Sequence, residues 1–118
     1  MRKVFLTSLI FVVMIQFSNA QSYYHFINEG YRDYQKKDYE NALKLYDHAF
    51  EISYNNPNDI YNAACCAALS GQTEKAVRLL KDAMMNGSPD IKHVQEDSDL
   101  ISLRVLNDWE KVYTDLLT

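Results

Sequence analysis

The segment DYENALKLYDHAF, residues 38–50, returns 34 residues later as QTEKAVRLLKDAM. Glu40, Ala42, Leu45 and Ala49 meet Glu74, Ala76, Leu79 and Ala83, while Leu43, Lys44, Tyr46 and Phe50 meet Val77, Arg78, Leu80 and Met84. The register extends backwards, placing Phe26 on Ile60, Asn28 on Asn62, Gly30 on Ala64 and Tyr34 on Ala68. An internal period of this kind limits the fold severely. A unit that cannot bury its apolar face alone must lie against its copy.

The residues inside each copy follow a helical step. Ala42, Leu45, Tyr46, Ala49 and Phe50 fall at i, i+3, i+4, i+7 and i+8, which predicts an amphipathic helix over Tyr39 to Ser53. Phe26, Gly30 and Tyr34 predict an earlier one over Tyr23 to Lys36. Asn55-Asn56-Pro57 reads as a stop, with Asn58 or Asp59 capping a third helix that runs to Leu69 before Gly71. Thr73 reads as the N-cap of a fourth helix, Glu74 to Met85, striped by Ala76, Leu79, Leu80 and Ala83. The tail suggests a turn of helix from Pro89 to Val94, a short helix capped by Ser98, and a last one capped by Asn107 or Asp108.

Small residues recur where backbones must approach. Ala42 with Ala49, and Ala76 with Ala83, lie on single helix faces, and Ala63, Ala64, Ala67 and Ala68 surround the third helix. A larger side chain at such a contact costs about 1–3 kcal/mol. The expectation is an all-α chain of stacked helical pairs, closed by Leu100, Leu103, Trp109 and Val112 from the tail.

The period, with Gly30, Tyr39, Ala42, Tyr46 and Ala49 in one copy and Ala64, Gly71, Ala76, Leu80 and Ala83 in the other, resembles the tetratricopeptide repeat (TPR). Asp97, Asp99, Leu100, Leu103, Arg104 and Trp109 look like the ending of short bacterial arrays of that family. Glu29, Lys37 and Tyr54 depart from its pattern. The resemblance implies two helix-turn-helix repeats of an α-solenoid, about 23–56 and 57–88, with capping helices over about 89–118. It also implies a concave face that binds an unidentified protein or peptide segment through Tyr24, Ile27, Asn28, Tyr31, Tyr34, Asn58, Tyr61, Asn62 and Leu69. Tyrosine offers contact area with little entropy loss, and asparagine can hold a peptide backbone. Core packing is the competing role, above all for Tyr34 and Tyr61.

The opening MRKVFLTSLIFVVMIQFSNA has a basic start, an apolar middle and small residues at Ser18 and Ala20. This is the layout of a secretory signal peptide cleaved between Ala20 and Gln21, which makes residues 21–118 an exported, periplasmic or extracellular domain. An uncleaved segment would instead tether the domain to a membrane. Residues 1–20 hold two of the 12 Lys and Arg and none of the 16 Asp and Glu, so their removal shifts the net charge from −4 to −6. Such a surface repels a phosphate backbone and excludes nucleic acid as a natural partner.

Cys65 and Cys66 are adjacent, too close for an ordinary bridge and pointing about 100° apart on a helix. They read as small buried residues, with a redox or ligand-binding pair as the alternative. His25, His48 and His93 show no metal-ligand spacing, and no nucleophile motif or phosphate-cradling glycine loop occurs. The sequence therefore points to no catalysis, no cofactor and no metal.

Overall fold

The computed structural model describes residues 2–106 and 109–118, and side chains from Phe5 onwards. Among the described residues every regular element is helical. They are α1 (Arg2–Gln35), α2 (Tyr39–Ile52), α3 (Pro57–Leu69), α4 (Thr73–Met85), α5 (Ile91–Glu96), a 3-10 turn (Ser98–Leu100), α6 (Ile101–Arg104) and α7 (Trp109–Leu117). Helix α1 packs mainly on α2, and α3 on α4, with α2 against α3 joining the two pairs.

The alanine stripes are buried as their spacing requires. Ala42, Ala49, Ala76 and Ala83 are fully buried, as are Tyr46, Ile60 and Leu80 between the helices. On α2 the inward residue beside Ala42 is Leu43, while Leu45 is only half-buried. Helix α3 buries Ala63, Ala64, Cys65, Cys66, Ala67 and Ala68 together, as suits a helix with neighbours on most sides. The tail seals this core with Val94, Leu100 and Leu103, all fully buried, and with Leu116.

Several boundaries differ from the sequence expectation, each for a local reason. Pro57 starts α3 rather than stopping α2, because the first helical position needs no N–H donor. The cap is therefore Asn56, whose side chain accepts from the Asn58 and Asp59 amides at 3.0 and 3.1 Å. Helix α4 already includes Thr73, and the cap position falls to Gln72 with no side-chain cap bond. Asp97, not Ser98, caps the 3-10 turn, and Asp90 caps α5. The expected caps Asn107 and Asp108 lie outside the described residues. Lys37 takes the left-handed backbone, φ 63°, that Gly71 takes in the corresponding turn at φ 78°.

The two copies are not equal units. Helix α1 has 34 residues against 13 in its counterpart α3, because it runs unbroken from the apolar opening segment into the packed domain. Phe5 to Phe17 contribute a row of exposed apolar side chains along it. The 34-residue period is the start-to-start distance from α2 at Tyr39 to α4 at Thr73. The period thus records the spacing of the two similar helices α2 and α4, of 14 and 13 residues, and not two equal hairpins.

Candidate functional site

One cluster gathers titratable side chains from four elements. Tyr61 and Cys65 sit one turn apart on α3, and Tyr34 comes from the end of α1. Asp97 and Asp99 face them from the 3-10 turn and its cap, and His93 comes from α5. The Tyr34 hydroxyl donates to Asp99 Oδ2 at 2.5 Å, and the Tyr61 hydroxyl donates to Asp97 Oδ2. The Cys65 thiol lies 4.0 Å from the same Asp97 oxygen, and His93 Nε2 lies 3.5 Å from it. The Tyr61 and His93 rings meet edge to face at 5.3 Å.

Local turn chemistry sets this geometry. Asp97 Oδ1 accepts from the Asp99 amide at 2.9 Å, which leaves its Oδ2 for Tyr61. Arg104 reaches back to the carbonyls of Val94 and Asp97 at 3.0 and 2.7 Å, closing the tail on itself. Ser102 donates to the Ala68 carbonyl at 3.2 Å, fastening the same segment to α3.

The electrostatics keep these donors protonated. The hydrogen bond to Asp99, helped by burial, pushes the Tyr34 hydroxyl well above the ordinary tyrosine range. For Tyr61 burial acts first and the bond to Asp97 second, in the same direction. Burial and the Asp97 and Asp99 charges hold the Cys65 thiol far above a reactive cysteine. Burial pushes the Cys66 thiol up to about 12. A cysteine nucleophile or redox centre needs accessible thiolate. Cys65 and Cys66 are both free and buried, which works against a redox role for the pair.

Cys65, Asp97 and Asp99 could together offer one sulfur and two oxygens to a metal, since their ligand atoms lie within 4.8 Å of one another. Both carboxylates, however, already accept tyrosine protons. A cation would have to displace two hydroxyls and a thiol proton, so the arrangement works more naturally as a latch on the tail.

The sequence-expected binding face divides accordingly. Tyr34 and Tyr61 are drawn into the latch, and Ile27 packs against the core. Asn58 is exposed and its side chain accepts from Ser88 at 3.2 Å, while Asn62 and Leu69 are half-buried. Tyr24, Asn28 and Tyr31 stand in solvent, with Tyr24 63% and Tyr31 46% exposed. Two pairings escaped the sequence reading. Tyr23 is buried and donates to Asp59 at 2.5 Å, joining α1 to α3. Tyr54 donates to Asp82 at 2.6 Å, joining the end of α2 to α4. For Tyr54 the available signal was its place just past the end of α2; nothing local marks Tyr23, whose partner is 36 residues away.

Over residues 22–116 the chain matches the family described as A/B hydrolase-like, N-terminal domain. The chain belongs to that family. The matched stretch is the domain described as N-terminal, and the match assigns it no catalytic role. Among curated proteins, a chloroplastic protein of Arabidopsis thaliana is 28% identical over 88 residues, covering 71% of this chain and 26% of the relative. The chain thus spans about a quarter of the length of that curated relative. No solved structure matches it.

The family corrects the earlier expectation. The tetratricopeptide resemblance, the α-solenoid of two repeats and the peptide-binding module built on them give way to an all-α bundle of the hydrolase-like N-terminal domain. The cause of the misreading is physical. Alanine-faced hairpins follow one packing rule wherever they occur, so Ala42, Ala49, Ala76 and Ala83 report close helices without naming a family.

Proposed function

We propose that this chain is an exported, non-catalytic helical helper that packs against the catalytic body of an A/B hydrolase-like protein. The observation that carries the reading is the extent of the match. It covers residues 22–116, the whole packed unit, and begins directly after the apolar opening segment. The latch supports it, since Tyr34 and Tyr61 spend their hydroxyls on fixing the domain's shape. Tyr24 and Tyr31 are the exposed aromatic candidates for contact with the hydrolase body.

Photo-crosslinking from position 31 in the exported protein tests this, with the captured protein identified by mass spectrometry. The reading expects a partner carrying an α/β-hydrolase catalytic domain. Efficient crosslinking only to proteins without one contradicts it. A second reading, favoured by the unbroken α1, keeps residues 1–20 attached so that the helper acts from a membrane surface. Carbonate extraction of the native membrane fraction separates the two.

A further inference from the structure

The exported form has a first residue with chemistry of its own. We propose that Gln21 is a modification site whose terminus closes to pyroglutamate, an inference that rests on removal of residues 1–20. In that reaction the free α-amino nitrogen of Gln21 attacks its own side-chain Cδ. A carbon–nitrogen bond forms and closes the lactam ring, the Cδ–Nε2 bond breaks, and the amide nitrogen leaves as ammonia with the displaced proton. No oxidant, reductant or co-substrate is needed.

The structure places this residue suitably. Gln21 and Ser22 are exposed, so neither packing nor a neighbouring helix hinders ring closure. Tyr23, the third residue of the exported chain, is buried and donates to Asp59 at 2.5 Å. Its ring also meets Tyr24 edge to face at 5.5 Å. The helix is therefore pinned from its third residue, while the first two stand clear in solvent.

Energetics favour the product. Cleavage makes Gln21 the start of the helix, where the first amides have no intrahelical acceptor. A charged ammonium there opposes the positive end of the helix dipole. The first turn, Gln21-Ser22-Tyr23-Tyr24, contains no carboxylate to offset it. An α-amino group titrates at ~8, so unprotonated amine is present to attack at neutral pH. Lactam closure then removes the charge for good.

Intact-mass measurement and Edman sequencing of the untagged exported protein decide the matter. The proposal expects a chain beginning at Gln21 but lighter by one ammonia, blocked to Edman chemistry, and opened by pyroglutamate aminopeptidase to reveal Ser22. The Gln21→Ala variant, processed at the same bond, is expected to give an unblocked terminus. A free Gln21 overturns the proposal and leaves export intact. A chain that keeps residues 1–20 overturns both. A blocked Gln21→Ala variant also overturns the proposal, because the block would then lie elsewhere.

Discussion

Gly30→Ala sets two effects of similar size against each other. Glycine inside a helix costs roughly 1 kcal/mol relative to alanine, so the change should favour α1 on propensity alone. The added methyl, however, meets Tyr46 Cδ2 and Cε2 at 3.3 Å and the Ala42 carbonyl oxygen at 3.4 Å. Tyr46 is fully buried and stacks on Phe50 at 6.2 Å, so its ring has no open space behind it. Overpacking a filled contact costs about 1–3 kcal/mol. The variant should therefore lose about 1 kcal/mol net. In a Tyr46→Leu background the ring is gone, and the same substitution should become neutral or stabilising by up to ~1 kcal/mol. Urea denaturation followed by far-ultraviolet circular dichroism on the four proteins of this cycle gives the comparison. Equal stabilisation by Gly30→Ala in both backgrounds would refute the claim that α1 and α2 are held at glycine distance.

Further outcomes are expected from the same contacts. Tyr61→Phe should lose about 1–1.5 kcal/mol, because the half-buried Asp97 carboxylate loses a donor; a chemical melt within error of wild type would count against the latch. Lys37→Gly should stabilise by about 0.5–1 kcal/mol, since it removes a left-handed backbone at φ 63° from a residue with a side chain, and a loss of stability would contradict this. Cys66 is pushed up to about 12 in the folded state from an ordinary 9.0, so the unfolded chain releases its proton first. That contribution is complete below about pH 9 and is lost as pH rises towards 12. Stability measured across alkaline pH should fall in that window, and less steeply for Cys66→Ala. Thiol titration of the native protein should be slow at both cysteines until denaturant is added, and fast native reaction would remove the packing role.

The helices were legible in the sequence because burial leaves a periodic trace. Ala76, Leu79, Leu80 and Ala83 line one face of α4, and all four are buried. The caps were less legible. Asn56 and Asp97 lie next to other plausible caps, and the choice depends on Pro57 at the first helical position and on the tail's return path. The latch could not be read because Tyr61 and Asp97 are 36 residues apart and meet only when the tail folds back. The family misreading had a different origin. The repeat carries the packing of α2 and α4, which is common to many helical bundles, whereas the unequal length of α1 against α3 leaves no mark in that alignment.

The most direct test of the proposed role is a hydrolysis assay on the isolated chain, on the protein that photo-crosslinking identifies, and on the two together. The account predicts no turnover by the chain alone and a change in the partner's KM or kcat when the chain is bound, reduced by Tyr24→Ala with Tyr31→Ala. Turnover by the chain itself, or a partner whose kinetics are indifferent to its presence, would contradict the role of non-catalytic helper.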